Sequence, residues 1–212
     1  MTTRLSWGLL IPGILVMLVA GCAGRIHVRP NSPSAPLGHA SSGPPVSLFI
    51  DPAIARTEVL AKTPSGDVGL GDLSVKFELG PALVDTIRGA AQATFPTAQV
   101  VEAPSCAPRT EALVEASLPA APYVQVNWRD ETPRVGGGTV AEIIVRVIDR
   151  DCAGREMARA VAYGDGRNEN LQIGANWPGE DDFRPGIERA LDDLRFNLTE
   201  LFRDMRGTEK EP

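Results

Sequence analysis

The cysteine at position 22 stands where the sequence points most clearly to chemistry. Before it, one basic residue, Arg4, is followed by an apolar run over residues 8–20, the arrangement of a secretory signal. The run is too short to span a bilayer, which needs about 20 apolar residues. A signal peptidase accepts only small side chains beside its cut, so Ala20 and Gly21 predict cleavage directly before Cys22. Residues 1–21 are therefore predicted to be a signal peptide.

The stretch from Leu18 to Cys22 resembles the lipobox of bacterial lipoproteins, with Val19 where leucine is more usual. The resemblance implies that the Cys22 thiol receives a diacylglycerol and that the new amino group is acylated, for example by palmitate. More than one acyl chain gives stable anchoring. In enterobacterial members Asp after the cysteine favours the inner membrane; here Ala23 follows, which implies the outer membrane, facing the periplasm. Inner-membrane location, surface exposure and an unlipidated secreted protein remain alternatives.

If Cys22 is lipidated, the folded part retains two cysteines, Cys106 and Cys152. An even pair in an oxidising periplasm is a candidate disulfide. Both lie in turn-like sequence, so a bridge would join two loops at one edge of a sheet. Two separate thiols remain the alternative, because the sequence does not give the distance between the Cα atoms, which must be under about 7 Å.

The histidines argue against several kinds of active site. The chain has only His27 and His39, and both fall in residues 22–45, a stretch rich in Pro, Ser and Gly that predicts a disordered tether. A catalytic triad or a histidine-based zinc site needs an imidazole in fixed geometry. We therefore expect no enzyme of these classes, no metal and no cofactor.

The remaining polar motifs have structural readings that we prefer. Asp149 with Asp151, or residues 180–182, could supply an acid/base pair, but the sequence favours a hairpin turn and a helix cap respectively. Residues 136–138 and 164–170 lack the patterns of a phosphate loop or an EF-hand and are predicted to be flexible loops. Trp128 is expected to close the core. Trp177 is the better candidate for a partner contact, because no regular pattern explains its loop.

Charge and composition narrow the partners. The net charge is −6, and removal of residues 1–21 would take away one of 21 basic residues and none of 27 acidic ones, giving −7. Such a surface is not expected to bind nucleic acid or anionic lipid by charge alone. Aromatic residues make up 5% of the chain, which favours a compact α/β domain over an aromatic-rich binding surface. The composition sets no oligomeric state.

Hydrophobic patterning predicts one domain over residues 46–206 and a charged tail over 207–212. Helical spacing follows Gly80 and Pro81 as far as Thr94, and the final helix carries an apolar stripe from Ile187 to Met205. The strongest pattern is a hairpin over residues 140–163, whose first strand is expected to be central. The other predicted strands are residues 46–50, 58–61, 99–102, 113–118 and 123–128. Strand, helix and strand around residues 80–94 predict a crossover between neighbouring strands.

The predicted fold is therefore an α/β sandwich, with two helices on one face of a mixed, mainly antiparallel sheet. In the order of its elements the chain is similar to small envelope lipoproteins with a domain like the amino-terminal domain of TolB, such as the YajG and PelC types. The residues carrying this likeness are the stretch ending in Cys22, the linker, the hairpin turn over residues 149–156 and the closing helix. The likeness covers most of residues 46–206 and contains no diagnostic motif.

Three functions are compatible with this sequence. The first is a non-enzymatic lipoprotein that binds an envelope protein or polymer and assists assembly, transport or wall maintenance. The alternatives are a periplasmic hydrolase using carboxylates only, and a carrier of an apolar ligand between helices and sheet. A hydrolase needs convergent carboxylates with shifted pKa values and a carrier needs an apolar cavity, whereas a binding module exposes a patch or a strand edge.

Overall fold

The computed structural model describes residues 25–33, 45–62, 74–95, 97–131, 134–173 and 179–207. They form an α/β sandwich, as predicted, with two α-helices and two sheets around one hydrophobic core. In chain order the elements are β1 (Arg25–Val28), β2 (Val46–Ile50), β3 (Glu58–Lys62), β4 (Ser74–Glu78), α1 (Gly80–Thr94), β5 (Gln99–Val101), β6 (Ala112–Ser117), β7 (Tyr123–Glu131), β8 (Arg134–Asp151), β9 (Glu156–Ile173) and α2 (Glu180–Gly207).

The larger sheet is built around β8, in the central position predicted for it. One edge of β8 pairs antiparallel with β7 and then with β6, and the other edge pairs along its length with β9. Beyond β6 lie β2 and then β5, both in parallel pairing. The predicted crossover is present, because β2 and β5 are parallel neighbours and α1 lies between them in the chain.

The smaller sheet has the order β1-β4-β3, and β3 contacts β7 of the larger sheet. Its first strand corrects a prediction, because β1 lies inside the expected tether of residues 22–45. Val28 is fully buried, and β1 pairs in parallel with β4 from Arg25 to Val28. The prediction of disorder is wrong for residues 25–33, because two alternating apolar residues are enough to form an edge strand beside β4. His27 therefore belongs to the folded domain.

The hairpin of β8 and β9 is longer than predicted. The loops expected at residues 136–138 and 164–170 are wrong, because both stretches pair as strand. Glycine residues in these stretches interrupt the alternation of apolar and polar side chains by which a strand is recognised in a sequence. At Gly164 and Gly166 an added Cβ would lie 2.3 Å from the carbonyl oxygen of Ala190 and 2.0 Å from that of Gly186. These glycines therefore let α2 approach the sheet closely.

The two helices pack together and share the core. Phe95, which follows α1, contacts Phe202 of α2 with ring centroids 5.7 Å apart. The apolar stripe of α2 is buried as its spacing predicts, at Ile187, Ala190, Leu191, Leu194, Leu198 and Phe202. On β8, the buried residues alternate with half-exposed ones, so one face of this sheet packs against the helices.

Candidate functional site

No described helix covers the second face of the larger sheet. On β8 the residues turned toward the helices, Ile143, Val145 and Val147, are buried, whereas Ile144 between them is partly exposed. Directly opposite Ile144 on β9 stands Tyr163. We call this side of β7, β8 and β9 the uncovered face. It is a candidate binding surface, because an exposed apolar patch on a folded domain is often an interaction site.

Large apolar side chains are exposed on the uncovered face. Tyr123 on β7 is 51% exposed, and Val161 and Tyr163 on β9 are 38% and 55% exposed. Met157, 54% exposed, lies nearer the hairpin turn, at an irregularity in the pairing of β8 with β9. The Tyr123 hydroxyl donates to Gln125 over 2.9 Å, so this ring is held at the surface by its own strand. The patch combines apolar rings with polar groups that can donate or accept hydrogen bonds.

Toward the hairpin turn the same face becomes charged. The Arg150 guanidinium lies 3.0 Å from the Glu115 carboxylate on β6, and Arg159 lies 2.8 Å from Glu156 on its own strand. The Arg159 guanidinium, by donating to Glu156, holds the pKa of that carboxyl below its usual range. The uncovered face therefore has ion pairs at its turn end. Around Tyr163 it carries exposed apolar side chains together with two charged residues of β8, Glu142 opposite Tyr123 and Arg146 opposite Val161.

The outer edge of β9 is partly covered by α2. The Asn197 amide donates to the Tyr163 carbonyl over 2.8 Å, and the Asp165 backbone N–H donates to the Asp193 carboxylate over 3.0 Å. Arg189 donates to the Arg167 carbonyl in the same way. These side chains occupy backbone groups that would otherwise be open to a further strand. This part of the β9 edge is therefore occupied by α2, whereas Val161 and Tyr163 of the same strand are exposed on the uncovered face.

The predicted pair of cysteines forms a disulfide. The sulfur atoms of Cys106 and Cys152 are 1.99 Å apart and the Cα atoms 5.6 Å apart. The loop that carries Cys106 is also bound to β2, because the Ala107 N–H donates to the Ser47 hydroxyl over 2.8 Å and that hydroxyl lies 2.9 Å from the Thr110 hydroxyl. The disulfide thus joins this loop to the turn between β8 and β9, at one end of the sheet.

Asp151 has the structural role that the sequence favoured. Its carboxylate accepts the backbone N–H groups of Ala153 and Arg155, over 3.0 Å and 2.8 Å, within the turn. The Arg155 N–H is the main reason that the pKa of Asp151 is lowered. Asp149 is buried, with 8% of its surface exposed. The two carboxylates therefore differ in environment, and Asp151 is occupied by the hairpin turn.

The acidic cluster at residues 180–182 starts α2 and also binds the chain's first described segment. Asp182 accepts the Gly179 N–H over 2.8 Å, which confirms the predicted helix cap. Glu180 accepts the Arg29 backbone N–H over 2.8 Å and lies 2.9 Å from the Arg184 guanidinium. The Arg29 N–H contributes most to the lowered pKa of Glu180. Asp182 and Glu180 therefore stabilise the start of α2 and its contact with Arg29.

Residues 29–33, which we call the N-terminal strap, continue from β1 along both helices. The Arg29 side chain donates to Glu78 over 2.6 Å, and the Asn31 backbone N–H donates to Glu188 over 3.0 Å. Further along, the Ser32 hydroxyl donates to Asp85 over 2.9 Å, and the Pro33 carbonyl accepts from Arg195 over 2.9 Å. The strap is thus bound to β4, α1 and α2, with four carboxylates among its partners.

Several predicted residues lie where the structure gives no account of them. Cys22, His39 and Trp177 fall outside the described residues, as do the predicted signal peptide of residues 1–21 and residues 208–212. Trp128 lies in β7 opposite Gly137, and its side chain is outside the described part. Among the residues that the structure describes, no group of three His, Cys, Asp or Glu could hold a metal ion. No described helix is long and apolar enough to cross a membrane.

Sequence reasoning missed Tyr123, Met157, Val161 and Tyr163 as surface residues. The signal was present, because placing both helices on one face leaves the other face open, and alternate residues of each strand must then point to it. The prediction that residues 155–163 return as the partner strand was correct, but the apolar residues in it were read only as strand formers. The chain has only two tyrosines, Tyr123 and Tyr163, and both are exposed on this face.

No protein-family model matches the chain, and no curated protein matches it. Among solved structures, a Xanthomonas campestris protein of family DUF330 is 8% identical and has a TM-score of 0.34, covering 88% of this chain and 94% of that one. A putative neuraminyllactose-binding hemagglutinin homolog from Helicobacter pylori is 7% identical, with a TM-score of 0.47, and covers 87% of this chain and 100% of that one. We draw no functional argument from likeness at this level.

Proposed function

We propose that this chain is a lipid-anchored, non-enzymatic protein of the cell envelope whose domain binds another envelope component through the uncovered face. The anchor is Cys22, and the domain would face the periplasm from the outer membrane. The partner would be an envelope protein or polymer, and its recognition would assist assembly, transport or maintenance of the wall. The observation that carries the binding function is the exposure of Tyr123, Val161 and Tyr163 together on one side of the sheet.

The chemistry of the uncovered face suits a binding role. Tyrosine presents a large apolar ring and a polar hydroxyl at low entropic cost, since it has only two side-chain torsions to fix. The charged groups toward the hairpin turn are paired within the domain, as Arg150 is with Glu115, so they supply a polar border at that end of the patch. A partner would therefore gain most of its contact from the tyrosine region.

Position-specific photo-cross-linking in cells tests this surface. A photo-reactive phenylalanine analogue is placed at Tyr163, and in a second variant at Phe196 of α2, which is exposed to nearly the same extent, 54% against 55%. We expect a defined cross-linked species from position 163 and none from position 196. The same species from both positions, or from neither, would contradict the assignment of the uncovered face.

The anchor has an independent test. Metabolic labelling with a fatty-acid analogue should label the wild-type chain and leave Cys22→Ala unlabelled. Fractionation of the same cells should place the labelled chain in the outer membrane. Absence of label on the wild type would remove the anchor from the proposal without bearing on the uncovered face.

A further inference from the structure

The distance along the chain between the anchor and the first strand is very short. Only residues 23 and 24 separate Cys22 from Arg25, where β1 begins. Three residue steps of fully extended chain span at most about 11 Å. A tether running to residue 45 would instead reach several times as far. Because this inference takes acylation of Cys22 from the proposed function, it rests on that part of the proposal.

The described contacts hold β1 and the N-terminal strap on the domain. Val28 and Val75 of β4 are fully buried in the common core, and the strap is bound at Arg29, Asn31, Ser32 and Pro33 to three other elements. To release this segment the domain would lose the β1–β4 pairing and these hydrogen bonds together. The folded domain therefore includes residues 25–33, which the sequence had placed in the tether.

We propose that one end of the smaller sheet is a membrane-facing surface, placed against the lipid headgroups by the anchor. This end is defined by Arg25, Ser74 and Lys62, which stand side by side in the register of β1, β4 and β3. The partner is the bilayer that holds the acyl chains of Cys22. The bilayer is the expected partner because the chain between Cys22 and Arg25 is so short that Arg25, at this end of the sheet, stays within about 11 Å of the acylated residue.

Two matched insertions of the same spacer test the proposal. A 20-residue Gly/Ser spacer has a mean span of roughly 25 Å. In one variant it is inserted between Gly24 and Arg25, and in the other between Leu37 and Gly38, beyond the N-terminal strap. The lipidated proteins are bound to a supported bilayer of phosphatidylethanolamine and phosphatidylglycerol. Neutron reflectometry then measures the height of the domain above the headgroups.

The spacer before Arg25 should raise the domain by roughly 25 Å, and the spacer after Leu37 should leave its height unchanged. If the two insertions change the height equally, whether by raising it or by leaving it as it was, the proposal is overturned. Mass spectrometry of each preparation establishes the acyl chains beforehand. Their absence would refute the anchor itself, and this proposal with it, whereas an equal response of acylated proteins refutes only the membrane-facing surface.

Discussion

Adjacent residues of β9 show how differently the two faces of the sheet are built. Tyr163 is 55% exposed on the uncovered face. Its neighbour Gly164 faces α2 so closely that an added Cβ would lie 2.3 Å from the Ala190 carbonyl oxygen. One face depends on the absence of side chains and the other carries large ones with no described covering. This difference predicts that substitutions on the helix side lower the free energy of unfolding more than substitutions on the uncovered face, whose side chains remain accessible to a partner.

The largest effect should come from adding a side chain on the helix side. Gly164→Val increases strand propensity but forces its Cβ against the backbone of α2, so we expect a loss of about 3 kcal/mol or more in the free energy of unfolding. Chemical denaturation followed by circular dichroism measures this loss. Tyr163→Ala is the matched control on the other face and should cost less than about 1 kcal/mol. Equal losses would contradict the distinction between the faces.

Removing the disulfide should have the next largest effect. Cys106 and Cys152 are 46 residues apart in the sequence, and a bridge closing a loop of this size stabilises a domain by about 2–4 kcal/mol, mainly by restricting the unfolded chain. The double substitution Cys106→Ala, Cys152→Ala should lower the free energy of unfolding by that amount.

The two faces of the sheet should differ in the same way when the disulfide is absent. The bridge lies at the end of the sheet and belongs to neither face, so the difference between Gly164→Val and Tyr163→Ala should persist without it. Denaturation of the double-alanine domain carrying each substitution checks this. If removing the disulfide abolished the difference, the stability of the helix side would depend on the loop at Cys106 and not on the close packing of α2.

The sequence predicted secondary structure correctly where apolar side chains fill the core, and it failed where glycine or an isolated short strand does so. Periodicity identified α1, α2 and the central hairpin, because buried apolar residues repeat at regular intervals there. It failed where glycine replaced the expected apolar residue, as at Gly164 and Gly166, since a close helix contact and a flexible loop have the same composition. It also failed at β1, because β1 pairs with β4 and the sequence analysis had predicted no strand at β4.

The candidate site was less predictable than the fold. The sequence indicated the Cys106–Cys152 pair, and the structure contains that disulfide. Exposure of Tyr163 depends on the position of both helices, which local pattern does not determine. Trp177, chosen for partner contact from the sequence, stays a prediction, and so does lipidation of Cys22.

A smaller effect is expected from acid. Ionised Glu78 and Glu180 both accept a hydrogen bond from Arg29, and this bond is the main reason that the pKa of each carboxyl lies below its usual range. A lowered pKa in the folded state means that the stabilisation is complete well above pH 4.5 and is lost as the pH falls through the folded-state pKa. The N-terminal strap should therefore loosen before the sheet does.

The amide chemical shift of Arg29, followed by NMR from pH 7 to pH 3, measures this loosening. In Glu180→Gln the side chain can still accept the Arg29 N–H but no longer ionises, so the titration seen at Arg29 should shrink. Residues of the uncovered face, such as Val161, serve as the internal control and should not follow the same titration. A titration of equal size at Arg29 and Val161 would argue against a local effect on the strap.

The most direct test of the account combines stability and binding in one variant. Tyr123→Ala with Tyr163→Ala removes both rings of the uncovered face, and the photo-reactive analogue is placed at Val161 as a reporter. The account predicts that the free energy of unfolding changes by less than about 1 kcal/mol, while the cross-linked species recovered from membranes disappears. An undiminished cross-link in this stable variant would contradict the claim that the uncovered face binds an envelope partner.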